Sequence, residues 1–275
     1  MNKKELKLLH NKIIEIAEYF DTFCNENNIR YYLMGGTALG AIRHKGFIPW
    51  DDDFDVFMDY DNYSRFLNIV DSKIDKKRFY FQKECTEEWP LYFSKLRMNN
   101  TTFIEKDVKN RIMHHGIYID IMCLNSTPNN KISRYFQYCS ARALNARALF
   151  EKGYITKSFI KKTGICLSKI FIRGLIKNSL LNYVRKYNSK NTEFVGHFFG
   201  RAPFSKTSFP KNYLKNPKLV KFENLMLPVA LQVEKYLKVR YGDNYMELPS
   251  EDEKMKYPSH AYIVDTIKDY KNYIS

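Results

Sequence analysis

The sequence predicts an α/β (α+β) fold with an additional helical subregion, and three observations lead to this prediction. In residues 1–130, segments with helical spacing of apolar residues alternate with short apolar segments typical of strands. From about residue 131, long segments with helical spacing replace them. Of the 275 residues, 44% are hydrophobic, which is enough to bury a sizeable core. We expect a single unit over residues 1–275, with a helical, basic subregion over residues 131–190 inside it.

The first part of the chain shows its elements in a clear order. Apolar residues from Leu6 to Cys24 recur at intervals of three and four, which predicts an opening amphipathic helix that ends near "NENN". The segment "IRYYLM" predicts a short strand, "GGTALGAIRHKG" a glycine turn leading into a short helical stretch, and "FDVFM" a strand. Residues 60–72 have helical spacing. The segments "RFYFQKE", "YFSKLRM" and "GIYIDIMCL" predict three further strands.

The second part of the chain is mainly helical in pattern. Residues 131–150 and 155–188 have helical spacing, and the second segment contains no acidic residue. Its basic residues alternate with Ile, Leu and Phe; they are Lys157, Lys161, Lys162, Lys169, Arg173, Lys177, Arg185 and Lys186. Two interpretations remain open: a helix that lies on an anionic membrane surface, or a packed helix with a solvated basic face. Further along, "VEKYLKVRYGDNYMELP" predicts a helix that ends at Gly242.

The charge and the cysteines limit the partners and the compartment. A net charge of +15 predicts attraction to something anionic, such as nucleic acid, a phosphate-rich substrate or the inner face of a membrane. The five cysteines are widely spaced and form no C-x-x-C pair, which indicates a reducing compartment and no zinc site. No window approaches the roughly 20 apolar residues of a membrane span. We expect a cytoplasmic protein, with peripheral contact on the inner face of the cytoplasmic membrane left open.

Nucleic acid is not expected as a partner. The basic residues of 155–188 cluster with aliphatic residues and not with the aromatic residues on which bases stack, and no established nucleic-acid module is present.

The segment "GFIPWDDDFDVFM" gathers four carboxylates beside apolar residues. Asp53 and Asp55 share one face of a predicted strand, with side chains about 6 to 7 Å apart. At an effective dielectric constant near 20, two charges at that distance repel by roughly 2.5 kcal/mol. A divalent cation offsets this repulsion, because Mg²⁺ combines one or two carboxylates with substrate phosphates. A solvated acidic turn is the alternative, and the apolar strand around the aspartates disfavours it.

Two further features strengthen the prediction of a metal and phosphate site. Asp120 lies between two isoleucines in another apolar strand, where an unpaired charge is costly. A buried, hydrogen-bonded acid is the commoner explanation for Asp120 alone, but Asp53, Asp55 and Asp120 together predict a site for Mg²⁺ or Mn²⁺. Upstream, Gly35, Gly36 and Thr37 open a short helix whose backbone N–H groups can approach an anion.

The order of these motifs resembles the nucleotidyltransferase superfamily, in which a glycine pair and a hydroxyl residue bind phosphate and three carboxylates hold divalent metal. The segment "GGTALGAIRHKGFIPWDDDFDV" resembles more closely the signature of the LicD family, which includes bacterial phosphocholine transferases and is related to fukutin-type transferases. Further matches are "KLRMNNTTFIE", "HHGIYIDI" and "YGDNYMELP", whereas residues 131–215 match nothing reliable. The resemblance implies a nucleotidyltransferase-like mixed sheet flanked by helices, forming a single catalytic unit.

The resemblance also implies an activity. A phospho-alcohol, foremost phosphocholine, would move from a CDP-alcohol donor to a hydroxyl of a cell-surface glycan or its lipid-linked precursor, with release of CMP. Lipopolysaccharide, teichoic acid and capsule polysaccharide are the glycans considered. Asp53, Asp55 and Asp120 would be the catalytic metal ligands, and Asp120 could also take the acceptor proton. The alternative is a nucleotidyltransferase that uses CTP or another nucleotide on a small-molecule or RNA acceptor, because the same carboxylates serve both reactions.

Other residues are candidates for substrate binding. Arg43, His44 and Lys45 precede the acidic strand and could bind the donor pyrophosphate or form salt bridges with the aspartates. Lys95 and Arg97 share a strand face, as a second phosphate clamp or as a solvated face. His115 could contact substrate or be a satisfied turn histidine. Asp51 and Asp52 are expected to orient the loop or support the ligands, and Asp52 is counted among the substrate-binding residues. Glu223 and His260 rest on motif position alone.

Overall fold

A mixed β-sheet lies at the centre of the computed structural model, which describes residues 1–154, 156–254 and 259–274. The strands are β1 (Tyr32–Leu33), β2 (Asp55–Asp59), β3 (Phe79–Gln82), β4 (Ser94–Met98), β5 (Thr102–Glu105), β6 (Tyr118–Thr127), β7 (Phe194–Gly196), β8 (Ser208–Pro210), β9 (Lys218–Phe222), β10 (Leu225–Val229) and β11 (Ala261–Asp265). The central sheet has the order β1-β2-β6-β4-β3, and β7 and β8 extend it from the far half of β6. Strands β9 and β10 form one separate ribbon, and β5 and β11 form another.

The register of the central strands decides which polar side chains meet. Strands β2 and β6 run parallel with Asp55 opposite Asp120, and β4 runs antiparallel to β6 with Lys95 opposite Asp120. Residues in register on neighbouring strands point to the same face of a sheet. Asp55, Asp120 and Lys95 therefore form one polar row across three strands.

Helices flank the sheet. They are α1 (Lys3–Glu26), α2 (Gly35–His44), α3 (Tyr60–Lys73), α4 (Lys131–Lys152), α5 (Phe159–Phe171), α6 (Gly174–Arg185), α7 (Val233–Tyr241) and α8 (Glu251–Lys254). Helix α1 begins with a capping box between Asn2 and Glu5, and its buried stripe from Leu9 to Cys24 follows the predicted spacing. The predicted mixed α/β fold is confirmed. The short ribbons and β7 and β8 were not predicted, because three to five residues carry too little periodicity.

The main core lies between α1, α3 and the central sheet. Strand β6 is buried along its whole length, as expected for a central strand covered on both faces. Val56 and Phe57 of β2 and Ile121 of β6 are completely buried in this core. This rigid arrangement fixes the amino ends of β2 and β6, where Asp55 and Asp120 lie.

The helical subregion has a small core of its own. Helices α5 and α6 both pack on α4, and Ala141, Leu144 and Val184 are fully buried there together with Phe198. The predicted segment 155–188 forms two helices, and its first residue, Ile155, lies outside the described residues. The helices separate because Gly174 has φ +52°, a value that side-chain-bearing residues rarely adopt. A single catalytic unit over 1–275 stays a prediction.

Gly40 lets α2 lie against the loop that carries the acidic stretch. A Cβ at Gly40 would lie 2.5 Å from the carbonyl oxygen of Gly46 and 3.2 Å from the backbone nitrogen of Ile48. We expect Gly40→Ala to lower the free energy of unfolding by about 1 to 3 kcal/mol, because the backbone must shift to remove the overlap.

The matched control for this substitution is Gly164→Ala in α5, where a Cβ meets nothing within 4 Å. That change should raise the free energy of unfolding by up to about 1 kcal/mol, since alanine favours the helix. Urea denaturation of the two variants measures both effects, and equal stabilities would contradict the close approach at Gly40.

In the ranges that the structure describes, no helix combines the length and the apolar character needed to span a bilayer.

Candidate active site

Asp55 is held where α2, β2 and β6 meet. Its backbone N–H donates to Thr37 Oγ1 at 2.8 Å, and its carbonyl accepts from the N–H of Met34 at 2.9 Å. The N–H of Asp120 donates to the carbonyl of Phe54 at 2.9 Å. These bonds fix the backbone positions of Asp55 and Asp120.

The glycine pair at the start of α2 faces the acidic stretch. Gly35 has φ +52°, and its N–H donates to the hydroxyl of Tyr236 at 3.0 Å. A Cβ at Gly36 would lie 2.8 Å from Asp51 Oδ2. Glycine is required here because it lets the backbone turn and lets a carboxylate approach. The start of α2 thus lies beside the carboxylates, and N–H groups at the start of a helix can bind an anion.

Asp52 joins the acidic loop to a distant part of the chain. Its carboxylate, 3% exposed, accepts hydrogen bonds from Ser259 Oγ at 2.5 Å, from the His260 N–H at 2.8 Å and from His260 Nδ1 at 3.0 Å. Burial by itself would raise the pKa of Asp52, but these bonds lower it below its ordinary value. The bond to Asp52 raises the pKa of His260. These contacts tie the acidic loop to residues 259 and 260, and a role of Asp52 in orienting the loop stays a prediction.

Asp53 lies next to Asp52 and His260. One ligand atom from each of Asp52, Asp53 and His260 falls within 4.8 Å of the others, which is the spacing of a metal-binding group. This acidic cluster can hold a metal ion. It shares Asp53 with the predicted set but uses Asp52 and His260 where the sequence pointed to Asp55 and Asp120. Those two assignments stay predictions.

Asp120 has a cationic partner. Lys95 Nζ lies 2.8 Å from Asp120 Oδ1 and 3.2 Å from Glu105 Oε1, and the lysine side chain is 2% exposed. The ammonium also lies 3.3 Å from the centre of the Tyr118 ring. A buried charge is tolerated when it is paired, and the carboxylates and the ring supply that pairing here. Lys95 therefore fixes the position of the Asp120 carboxylate.

The aspartates of the acidic stretch and Asp120 together carry more negative charge than the neighbouring cations neutralise. Burial together with the charge of Asp53 raises the pKa of Asp51 to about 8, and burial with the charge of Asp52 raises the pKa of Asp53 to about 6. Burial followed by the charge of Asp53 places the pKa of Asp55 well above its ordinary value. Burial raises the pKa of Asp120 even though Lys95 opposes the shift. Oxygen donors with such an excess of charge fit a hard divalent cation.

The three basic residues before the acidic strand have different surroundings. Arg43 donates from its guanidinium to the carbonyls of Tyr245 and Glu247 at 3.1 and 2.8 Å, and from Nε to His44 Nε2 at 2.9 Å. His44 meets Trp50 edge to face. Lys45 is exposed, and its ammonium donates to the carbonyl of Ile42 at 3.2 Å. No salt bridge from these residues to the acidic stretch is found among the described residues. A role in binding the donor stays a prediction for all three.

Arg97 and His115 are enclosed by protein. Arg97 donates to Gln82 Oε1 and to the carbonyl of Gly116, both at 2.9 Å. His115 is hydrogen-bonded through Nε2 to the carbonyl of Arg111 at 2.9 Å. Both residues have a structural role that accounts for their burial. Lys95 and Arg97 are buried, so the solvated strand face considered for these two residues is wrong. Contact of Arg97 or His115 with substrate stays a prediction.

Several residues of the site were missed or weakly predicted. Tyr236 lies in no recognised motif, Glu105 ends the matching segment "KLRMNNTTFIE" but was assigned no role, and His260 had only its position after "YGDNYMELP" as a signal. Glu223 accepts from the N–H of Phe47 at 3.1 Å, and its own N–H donates to the carbonyl of Lys45 at 2.8 Å. Glu223 therefore clamps the loop before the acidic stretch. All these contacts join residues far apart in sequence, which a local pattern does not reveal.

Asp55 and Asp120 near the amino ends of two parallel strands, beside a helix that opens with two glycines, form the arrangement expected of the nucleotidyltransferase class. In agreement, the family model described as "LicD/FKTN/FKRP, nucleotidyltransferase domain" matches residues 28–132. The chain is also 30% identical over 279 aligned residues to "Lipopolysaccharide cholinephosphotransferase LicD" of Haemophilus influenzae, covering 95% of this chain and 100% of the relative. The chain belongs to the LicD family of transferases.

Two shorter similarities involve uncharacterized proteins of Rickettsia. The chain is 44% identical over 45 residues to one from Rickettsia typhi, covering 16% of this chain and 15% of the relative. It is 58% identical over 31 residues to one from Rickettsia prowazekii, covering 11% and 12%. These matches are too short to add evidence about activity.

Proposed function

We propose that this protein transfers phosphocholine from CDP-choline to a hydroxyl of a cell-surface glycan, or of its lipid-linked precursor, and releases CMP in a metal-dependent reaction. The observation that carries this proposal is the similarity to the Haemophilus influenzae lipopolysaccharide cholinephosphotransferase, which extends over the full length of that enzyme. The half-buried carboxylates of Asp53 and Asp55 support a reaction at a phosphate group.

In the proposed reaction, an acceptor oxygen forms a bond to the phosphorus that carries choline, and the bond from that phosphorus to the CMP oxygen breaks. Asp53, Asp55 and Asp120 would hold Mg²⁺ or Mn²⁺, with Asp52 and His260 beside them. When bound, this ion neutralises the negative charge of the donor phosphates and of the departing CMP. Transfer of this kind depends mainly on positioning and on charge neutralisation.

The chain's own residues supply the positioning. We propose that Gly36 and Thr37 present backbone N–H groups to a donor phosphate, while Gly35, whose own N–H donates to Tyr236, lets the chain turn into α2. Asp120 accepts the proton of the acceptor hydroxyl, while the ion pair with Lys95 keeps its carboxylate in place. Arg97 supports this arrangement through Glu105, whose Oε1 lies 3.6 Å from Arg97.

Nucleotidyl transfer from CTP remains the second candidate, because the same carboxylates could hold a metal against a triphosphate. The two reactions differ in the phosphorus that is attacked and in the product released, which is CMP in one and pyrophosphate in the other. The full-length relative is named as a cholinephosphotransferase, and this favours the first reaction. Ribitol, glycerol and ethanolamine remain alternative head groups.

Thermal unfolding with and without ligands tests the proposal. We expect Mg²⁺ with CDP-choline to raise the unfolding temperature by several degrees, since a ligand at 100 times its Kd stabilises by about 2.7 kcal/mol. Excess EDTA should remove the shift. CDP-ribitol, CDP-glycerol, CTP, UDP-glucose and a short RNA are the comparison ligands. A shift with CTP alone, together with release of pyrophosphate, would replace the proposal by nucleotidyl transfer.

A lipid-linked acceptor also implies a place for the enzyme. We propose that it works on the cytoplasmic side, as a peripheral protein at the inner face of the cytoplasmic membrane, because a lipid-linked glycan precursor is accessible there.

A further inference from the structure

Helix α5 has an apolar face that points away from the protein. Its buried residues, Ile165 and Ser168, face α4. Five large apolar side chains lie on the opposite side of the helix at helical spacing, and each is exposed: Phe159 (81%), Ile160 (83%), Leu167 (47%), Ile170 (57%) and Phe171 (61%). A globular helix normally buries such a stripe and shows its polar side to water. In α5 the usual arrangement is reversed.

The start of α6 continues this surface. Leu175 is 87% exposed and Ile176 is 55% exposed, directly after the turn at Arg173 and Gly174. We call the exposed apolar residues of α5 together with Leu175 and Ile176 the outer face. Seven large apolar side chains within 18 residues are exposed here, and such a concentration of exposed apolar residues is typical of interaction surfaces.

The charge around the outer face has one sign. Between Glu151 and Glu193 the chain contains no acidic residue. Lys177 pairs with Glu151, and Arg185 pairs with Glu84. The other basic side chains on and beside α5 form no salt bridge with any carboxylate that the structure describes; they are Lys157, Lys161, Lys162, Lys169 and Arg173. Their positive charge is available to an anionic partner.

We propose that the outer face binds the surface of an anionic membrane, with its apolar side chains in the boundary between head groups and acyl chains and its lysines against the lipid phosphates. This inference rests on the proposed function, because a lipid-linked acceptor gives the enzyme a reason to be at a bilayer. Apolar residues flanked by Lys and Arg are the composition of helices that lie in a membrane interface. A second copy of the chain fits less well, because two such faces would repel each other.

The position of the outer face suits this role. Lys152, at the end of α4, lies 3.9 Å from Glu105, which in turn lies 3.2 Å from Lys95 beside Asp120. The end of α4 therefore lies a few side chains from the carboxylates, and α5 starts at Phe159 soon after it. A membrane bound at the outer face would bring a lipid-linked acceptor close to the candidate active site.

Sedimentation with vesicles tests the proposal. At about 0.15 M salt, we expect the protein to bind vesicles containing phosphatidylglycerol at least ~10-fold more tightly than vesicles of phosphatidylcholine alone. Phe159→Ser/Ile160→Ser/Leu175→Ser should weaken binding to the anionic vesicles at least ~10-fold. The matched control, Ile112→Ser/Ile267→Ser, removes side chains that are 97% and 81% exposed elsewhere and should leave binding unchanged.

The basic residues are tested separately. Lys161→Gln/Lys162→Gln/Lys169→Gln should weaken binding at least ~10-fold and flatten its dependence on salt, whereas Lys3→Gln/Lys4→Gln/Lys7→Gln on α1 should not. Equal binding by the outer-face variants and the controls would overturn the proposal. The proposal is also overturned if vesicles do not bind and light scattering shows a dimer that the apolar variant dissociates, since the face is then a contact between chains.

Failure of this inference and failure of the proposed function can be told apart. Vesicle binding needs neither donor nor metal, so Asp55→Asn should bind vesicles like the unaltered protein. Vesicle binding without a thermal shift from CDP-choline would support the outer face and contradict the donor. A thermal shift from CDP-choline without vesicle binding would support the donor and contradict membrane binding by the outer face.

Discussion

Asp55→Asn should lower the turnover of CDP-choline by at least ~1000-fold while the protein stays folded. Asparagine keeps the size of the side chain and the backbone bond to Thr37, but it removes one negative charge from the acids that we propose hold the metal. Because burial and the charge of Asp53 raise the pKa of Asp55 well above its ordinary value, the ionised side chain opposes folding. In EDTA the variant should therefore unfold at the same temperature as the unaltered protein or at a higher one.

The measurements are CMP release with a glycan acceptor and thermal unfolding with Mg²⁺ and CDP-choline. The matched control is Asp59→Asn, the same substitution at the other end of β2. Asp59 accepts from the N–H of Asn62 as the N-cap of α3, and asparagine caps a helix equally well. The control should keep its turnover and its metal-dependent thermal shift. Normal turnover by Asp55→Asn would remove Asp55 from the catalytic site.

Glu105→Gln should destabilise the protein by about 3 kcal/mol or more. Glu105 is buried between three cations, with Lys95 at 3.2 Å, Arg97 at 3.6 Å and Lys152 at 3.9 Å. Removing one partner of a buried ion pair leaves charge uncompensated in the interior, and such changes typically cost about 3 to 5 kcal/mol. Urea denaturation at neutral pH measures the loss.

The matched control for this change is Glu151→Gln. Glu151 also has two cationic partners, Arg147 at 2.9 Å and Lys177 at 3.4 Å, but its side chain is 26% exposed. A partly exposed pair contributes less because water screens it, so the control should lose no more than about 1 kcal/mol. Similar losses in the two variants would contradict the assignment of Glu105 as the centre of a buried network.

Acidification should reveal the same network. Burial alone would raise the pKa of Glu105, but Lys95, Lys152 and Arg97 hold it well below its usual range. A carboxyl group with a lowered pKa stabilises the fold fully above its ordinary pKa, about 4.5, and loses that contribution as the pH falls further. The difference in unfolding free energy between the unaltered protein and Glu105→Gln should therefore shrink below pH 4.5. A difference that stays constant down to pH 3 would contradict this.

Much of the fold could be predicted because its signals are local. The spacing of Leu9, Ile13 and Ile16 predicted α1, and the apolar run around Asp120 predicted β6. Gly242 ends α7 at the predicted place with φ +100°. Strand pairing was less accessible, because the sequence does not state that β6 lies between β2 and β4. Hydrogen bonds between distant strands depend on how the whole chain packs, and no short segment encodes that order.

The sequence by itself determined the family, the mixed α/β class, and the gathering of Asp51, Asp52, Asp53 and Asp55 beside a glycine-initiated helix, since each depends on neighbouring residues. Only the tertiary structure decided which partners these groups meet. It placed His260 on Asp52 and Lys95 on Asp120, and it turned the apolar stripe of α5 away from the protein. The physical reason is that periodicity fixes which residues share a face, whereas packing between distant segments fixes what that face touches.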